Sequence, residues 1–397
     1  KDGGKRMCVD YRSLNACTID FRFPVPNTRD LLDRMGGKEL FATLDLRSGF
    51  HQVPLSEDSM HLTAFSTPSG LFEYTRLPFG LKNAPRYFQK QMVSVLAGLE
   101  GTCCEVFIDD IIVYGEDVQS FLAHLRQVFE RLREYNLRLK GTKCCFGQRS
   151  VEYLGHIVSG KGIELSATRK QAIADIPPPT SMQKLRTFMG MANYFRGFVE
   201  GYARLAKPLT GLCSTKAKFH WGEAEQRAFV ALKLAILQSP ELIHLDYSKE
   251  IIVRTDASMF GVGGMLAQEV DGRELPVSFI SRAFSASESK WSTIEQEAFA
   301  IYYTVISLSH YLMGHKFVVE TDHKNLMYLE KSTAPKIVRW RLRLQEYEYE
   351  VRHIPGKSNV IADGLSRCFM VEHANDIGLV HNSLMDIEES QKLFQCF

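Results

Sequence analysis

The amino-acid sequence predicts a multidomain protein, an α+β layer followed by a separate α/β domain. Three observations carry this expectation. At 397 residues the chain exceeds what one hydrophobic core usually organises. As far as about residue 165 the hydrophobic periodicity runs strand, helix, hairpin, helix, strand. After two breaks, IPPPT at 176–180 and Pro240, a strand pattern restarts at Ile251.

The elements follow in order. Pro24 and Pro26 in FRFPVPNTRD argue against a helix through the first forty residues. FATLDLRSGF reads as a strand, and Phe88, Met92, Val95, Leu96 and Leu99 recur at helical spacing after a start near Asn83 and Pro85. VFIDDIIVY is apolar and β-branched and reads as a buried hairpin. Phe121, Leu122, Leu125, Val128, Phe129 and Leu132 line one face of a helix over Val118 to Asn136, after which VEYLGHIVSGKGI returns to strand character. Past IPPPT, SMQKLRTFMGMANYFRGFVEGYARLAKPLTGL reads as a pair of helices, and WGEAEQRAFVALKLAILQS as another helical stretch. The restarted pattern offers strands at IIVRTD, GVGGMLAQ and ELPVSFIS, a long helix from about Ser289 to Leu308, a strand at FVVETD, short helices, a strand at YEYEVRHI and a last helix at SNVIADGLSR.

Composition excludes several classes. The apolar fraction is 45% and the charged fraction 24%, and no apolar run approaches the roughly eighteen residues of a membrane span. Net charge is +2, but residues 368–397 carry five acids against Lys392, which leaves the rest more basic and favours a polyanionic partner. Nine cysteines without C-x-x-C spacing, two pairs of them adjacent, suit neither a disulfide framework nor a zinc site and are expected to be reduced, intracellular thiols. The chain begins at Lys1 with no apolar leader, so it is expected to be cut from something longer, with no targeting signal of its own.

Two sets of acids stand out. Asp109 and Asp110 lie inside the apolar run VFIDDIIVY, where a hairpin turn can present both at one end. With Asp45, embedded in FATLDLRSGF, they offer hard oxygen ligands for divalent cations and the two-metal arrangement of phosphoryl transfer. A solvated turn and a strand-end aspartate explain the same acids taken alone. In the second half Asp256 and Asp322 end apolar strands, Glu297 lies on the apolar face of the long helix, and Asp363 falls on the final helix. Each of these alone reads as a cap or a salt-bridge partner.

Six ordered motifs resemble the reverse transcriptase of gypsy-type long-terminal-repeat retrotransposons, and the resemblance runs from about Lys1 to Arg367. FIDD matches the catalytic tetrapeptide, with Phe107 where many members carry tyrosine. RMCVDYRSLN resembles the fingers motif, TLDLRSGFHQVPL the first catalytic strand, LPFGLKNAP the template-positioning helix entry, LRLKGTKCCF the lysine-bearing segment and VEYLGHIVS the primer-gripping hairpin. The second acid set, in its strand and helix order, resembles the ribonuclease H fold.

The resemblance implies a right-hand polymerase with fingers, ferredoxin-like palm and thumb, followed by a ribonuclease H-like mixed-sheet domain. Its implied limits are 1–165 for incomplete fingers and palm, 166–215 for the thumb, 216–248 for a connection, 249–367 for ribonuclease H, and 368–397 for a tail or linker. It implies an RNA-directed DNA polymerase, a nucleotidyltransferase copying RNA and DNA templates, with an endonuclease that hydrolyses RNA in hybrids. A catalytically silent nucleic-acid-binding remnant of a decayed or domesticated element is the alternative.

Carried over residue by residue, Asp45, Asp109 and Asp110 would bind metal in the polymerase, and Asp256, Glu297, Asp322 and Asp363 in the nuclease, two Mg2+ per site with Mn2+ as a substitute. Arg6 would meet the incoming triphosphate, and Phe50 would lie beneath the sugar and exclude a 2′-hydroxyl. Phe79 stands where retroviral relatives carry glutamine, so its place in the substrate site brings no hydrogen bond. Lys143 would protonate the leaving pyrophosphate or contact phosphate. His353 matches a histidine that assists product release. Taken alone, Phe50 reads as a core aromatic and His353 as a surface residue. Arg339, Arg341 and Arg343 around Trp340, and the turn at Lys357, are further candidate contacts for nucleic acid, though solvated arginines explain the first strip equally well. The implied partners are RNA template, DNA primer, hybrid and deoxynucleoside triphosphates, with protease and integrase elsewhere in a parent polyprotein, no membrane, and a cytoplasmic virus-like particle as the location.

Overall fold

The computed structural model describes residues 7–214, 218–323 and 334–354. The chain divides into two compact units, one formed by Lys1–Asp175 with Ser239–Asp246, the other by Ile176–Gln238 with Tyr247–Phe397.

The first unit opens with short helices α1 (Arg12–Cys17) and α2 (Thr28–Asp33) and strand β1 (Leu40–Asp45). A one-turn helix α3 (Glu57–Met60) leads to a small hairpin of β2 (Phe65–Thr67) and β3 (Gly70–Phe72). Helix α4 (Ala84–Val95) starts with Pro85 in its first turn, where a missing N–H costs nothing. The next hairpin is β4 (Cys104–Phe107) and β5 (Asp110–Gly115), followed by α5 (Val118–Glu134), whose start is fixed by a capping box between Asp117 and Ser120. With β6 (Cys145–Gln148) these strands make an antiparallel sheet in the order β4-β5-β1-β6. Its core gathers Leu44, Ile111 and Val113 with Phe88 and Met92 of α4 and Phe121 and Val128 of α5. Gly115 closes β5 because any Cβ there would collide with the backbone of Phe121, so the glycine lets α5 turn back onto the sheet.

The segment VEYLGHIVSGKGI has the expected strand character and folds into three strands, β7 (Ser150–Tyr153), β8 (His156–Ser159) and β9 (Gly162–Leu165), the first two forming the hairpin that the resemblance implies for VEYLGHIVS. Leu154 and Gly155, both at positive φ, make the first reversal and Gly160 lies in the second. Helix α6 (Ala167–Ala174) follows, and the returning strand β10 (Leu242–Ile243) completes a second sheet in the order β10-β9-β8-β7.

The second unit begins with helices α7 (Met182–Tyr194), α8 (Tyr202–Leu212) and α9 (Glu223–Leu237), knitted by ring packing of Phe188 on Phe229 at 4.7 Å. Strands β11 (Ile251–Ser258), β12 (Gly261–Val270) and β13 (Arg273–Ala283) form a meander. Next come α10 (Thr293–Ser307), α11 (Ser309–Leu312), β14 (Phe317–Thr321), α12 (Pro335–Leu344) and β15 (Tyr349–His353). The five strands make one mixed sheet, β13-β12-β11-β14-β15, parallel across β11-β14-β15 and antiparallel elsewhere. The long helix starts four residues later than expected, because Ser292 and Glu295 form a capping box there and Glu288–Lys290 is a separate tight turn. Helix α10 lies against β11 and β12, where Gly264 leaves room for Thr304. The helical segment is bonded to the sheet edge: Arg196 Nη2 donates to the Ser281 carbonyl at 2.7 Å, and Ser281 Oγ accepts the Ala203 N–H at the start of α8 at 3.0 Å. The last helix expected at SNVIADGLSR lies outside the described residues.

Candidate active sites

The β4–β5 connection is a two-residue turn, Ile108 and Asp109, closed by the pair Phe107 and Asp110. Asp45 is the register partner of Asp110 on the neighbouring strand β1. The fold therefore delivers Asp45, distant in sequence, to the same strand end as the adjacent pair Asp109 and Asp110. The Asp110 side chain reaches solvent, yet the surrounding protein withdraws enough water, and Asp109 and Asp45 add enough negative charge, to push its pKa up to about 6. Lys143 relieves part of this repulsion, its Nζ lying 3.3 Å from Asp45 Oδ2. It is placed there by the tight turn Gly141–Lys143, which enters β6 beside β1, and by the Lys140 N–H donating to the Asp45 carbonyl.

Phe50 lies in a short 3-10 turn just after β1, its ring 5.0 Å from that of Phe88 and 5.3 Å from that of Phe79. Phe79 thus supports Phe50 edge-on. Gly49 packs closely beside it: a Cβ there would press on the Phe88 ring and lie in contact with Asp109. Gln52 fastens the end of this motif, donating to the Arg47 and Arg138 carbonyls and accepting the Arg138 N–H. Arg6 lies outside the described residues. Sequence reading missed Gln89, which is fully buried on α4 and bonds the backbone at Val106 of β4 and at Ile108 of the β4–β5 turn. The available signal was a polar residue inside the apolar face set by Phe88 and Met92.

The second set converges more tightly. Asp256, Glu297 and Asp322 each offer a carboxylate oxygen within 4.8 Å of the others, the only such group of acids among the described residues. Asp256 sits near the end of β11 and Asp322 directly after the parallel strand β14, which brings both to the same end of the sheet, while the capped first turns of α10 aim Glu297 at them. Asp256 and Glu297 are buried. Burial first, then the charges of Asp256 and Asp322, push Glu297 up to about 9, against a backbone hydrogen bond from Ala257. Its Oε2 has no hydrogen-bond partner among the described residues. A buried, unpartnered carboxylate oxygen among hard oxygen donors fits a divalent cation. The first site has the same donor chemistry, with Asp45 held to Lys143.

His353 ends β15, in register with Thr321, and its Nε2 lies 3.1 Å from the Asp322 carbonyl. Asp363 and Lys357 lie outside the described residues. On α12 Arg339 and Arg343 are exposed, whereas Trp340 packs against Trp291, Phe299 and Tyr302. The tryptophan therefore belongs to the packing under the helix and the arginines to its surface. Cysteines 8, 17, 103, 104, 144, 145 and 213 are free thiols. Among the described residues no helix is long and apolar enough to cross a membrane.

Residues 1–158 match the family model for reverse transcriptase (RNA-dependent DNA polymerase), and residues 246–347 that for the RNase H-like domain found in reverse transcriptase. The chain is 39% identical over 98% of its length to the retrovirus-related Pol polyprotein from transposon 412 of Drosophila melanogaster, and 35% identical over 99% to that from transposon gypsy of the same species. It spans 31% and 40% of the lengths of these two relatives. In fold it is similar to the foamy viral protease-reverse transcriptase solved in complex with double-stranded DNA, with a TM-score of 0.78 at 24% identity, covering 89% of this chain and 63% of that one. With both domain models matched in order, and relatives of this identity along almost its whole length, the chain carries a reverse transcriptase domain followed by an RNase H-like domain and is similar to that region of gypsy-type retrotransposon Pol polyproteins.

Proposed function

We propose that this chain copies RNA, and then DNA, into DNA at the Asp45, Asp109 and Asp110 cluster, and degrades the copied RNA at the Asp256, Glu297 and Asp322 cluster. The observation that carries this reading is the recurrence of one device on two separate units: acids from separate elements of the chain gathered at strand ends. Intact acids in both places speak against a silent remnant. The parts are read as fingers and palm over 1–165, thumb over 166–215, connection over 216–248, nuclease over 249–367 and a tail over 368–397.

Asp45, Asp109 and Asp110 would hold divalent metal in the polymerase, and Asp256, Glu297 and Asp322, joined by Asp363, in the nuclease, with Mg2+ the ion suited to such oxygen donors. Bound metal supplies charge stabilisation to the attacking and leaving oxygens of phosphoryl transfer. The chain's own residues do the rest. Burial, together with the negative charge of Asp109 and Asp45, holds the proton on Asp110, and Lys143 offsets part of that charge. Lys143 can then meet phosphate or the leaving pyrophosphate, and Arg6 the incoming triphosphate. The ring of Phe50, braced by Phe79 and Phe88, would underlie the sugar and leave no room for a 2′-hydroxyl. His353, lodged against the Asp322 backbone, is placed to act on the cleaved product.

The substrates in this reading are deoxynucleoside triphosphates, a primed RNA or DNA template and the RNA–DNA hybrid, bound with strong salt dependence. Protease and integrase would lie elsewhere in the parent polyprotein, and a cytoplasmic virus-like particle would be the setting. The test is extension of a labelled primer on an RNA template with Mg2+, with hybrid cleavage scored in the same reaction. Both products are expected; an absence of both would favour the silent remnant.

A further inference from the structure

The turn that carries Asp109 is an unfavourable one for its sequence. In a two-residue hairpin turn with positive φ at the first position only, glycine is the residue that fits. Here that position is Ile108, at φ 57, while Asp109 is not left-handed. A β-branched side chain in this region is strained and persists only where its surroundings hold it. Strand β4 cannot supply that hold from its outer side, because it lies at the edge of the sheet β4-β5-β1-β6.

Gln89 does. It is fully buried on α4, its Nε2 donates to the Val106 carbonyl at 3.2 Å, and its Oε1 accepts the Ile108 N–H. One side-chain amide thus bonds the backbone on both sides of Phe107, as a neighbouring strand would, and ends on the strained residue itself. A buried amide satisfied in this way is costly to leave half-paired, so α4 and the turn are locked together. The helix is anchored at its other end too: Asn83 accepts the Phe21 N–H and donates to the Ile19 carbonyl.

We propose that Gln89 is a positioning residue for DNA synthesis: it clamps Ile108 in its left-handed conformation and so fixes where Asp109 and Asp110 present their carboxylates. This rests on the polymerase reading above. Gln89 touches neither substrate nor reacting atoms in this role.

The test compares the full chain with Gln89→Met, which keeps length and volume but loses the amide, and with Gln89→Met combined with Ile108→Gly, in which the turn no longer needs a clamp. Gln89→Met is expected to lower kcat for primer extension about 10- to 100-fold, the usual cost of losing a residue that orients a metal ligand. KM for the nucleotide, affinity for primer–template and hybrid cleavage should stay at wild-type levels. Adding Ile108→Gly should bring kcat back to within about threefold of wild type, since glycine adopts positive φ freely. Wild-type kcat in Gln89→Met, or a double variant no better than the single, overturns the proposal. Melting curves of both variants accompany the assay; a Gln89→Met protein that unfolds and is not restored by Ile108→Gly points to bulk packing and counts against it as well. A wild-type chain that extends no primer sinks the polymerase reading itself, a result distinct from all of these.

Discussion

Asp45 and Asp110 are register partners at the end rung of the β1–β5 ladder, so the separation of the two carboxylates is set by backbone pairing rather than by flexible loops. Removing either charge should therefore disable one chemistry without disturbing the other unit. Asp110→Asn, or Asp109→Asn, is expected to reduce primer extension by at least about 100-fold while hybrid cleavage persists, and Asp256→Asn to do the reverse. Radiolabelled extension and hybrid-cleavage assays on the same preparations check this, and loss of both activities in either variant would refute two independent sites.

Phe50 is wedged between Phe79 and Phe88, which leaves its ring little freedom to move aside. Phe50→Ala should admit ribonucleotides, lowering the preference for deoxynucleotides by roughly 10- to 200-fold, the range typical of a steric contact in a pocket. Single-nucleotide incorporation with each sugar measures the ratio. An unchanged ratio would remove Phe50 from the site and return it to the core.

Glu297 holds its proton up to about pH 9, far above the 4.5 of an ordinary glutamate. Between those values the folded chain binds more protons than the unfolded one, so without metal the stability linked to this carboxyl is complete below about pH 4.5 and is lost as pH rises through about 9. In EDTA the second unit should melt at least about 4 °C lower at pH 9 than at pH 5.5, a difference that Glu297→Gln largely abolishes. Because a ligating carboxylate must be deprotonated, Mg2+ should stabilise the wild type more at higher pH and Glu297→Gln little at any pH. Differential scanning calorimetry distinguishes these outcomes; a wild type with no such slope would contradict the burial argument.

Gly264 faces Thr304 across the α10–β12 contact with no room for a Cβ. Gly264→Val should overpack this seam and destabilise the second unit by about 1–3 kcal/mol. Since α10 carries Glu297, hybrid cleavage should fall with it while primer extension stays intact. Urea denaturation followed by both assays would show this, and equal loss of the two activities would contradict it.

Much of this was legible in the sequence because hydrophobic period and turn chemistry agree along most of the chain. The helix over Ala84–Val95, the helix from Val118 and the meander from Ile251 follow from spacing alone. The acids were visible as charges inside apolar runs, but their convergence was not, since pairing Asp45 with Asp110 spans sixty-five positions and depends on strand order. The hairpin at VEYLGHIVS was implied by resemblance, although its turn needs Leu154 at positive φ, which no propensity of leucine predicts; the third strand after Gly160 was not foreseen. Gln89 escaped notice because one polar residue on an apolar helix face looks like noise until its two backbone partners are known.

Ser281 has one further consequence. Through it, and through Arg196, strand β13 shares polar bonds with the helices that precede the nuclease-like fold in sequence. The similarity to known nuclease domains begins at residue 246, yet the compact body begins at Ile176. A family border and a folding border are thus different lines on this chain. Excision at the first would strip β13 of its helical neighbour and of the bonds through Arg196 and Ala203, so the compact body is longer than the piece that inheritance defines.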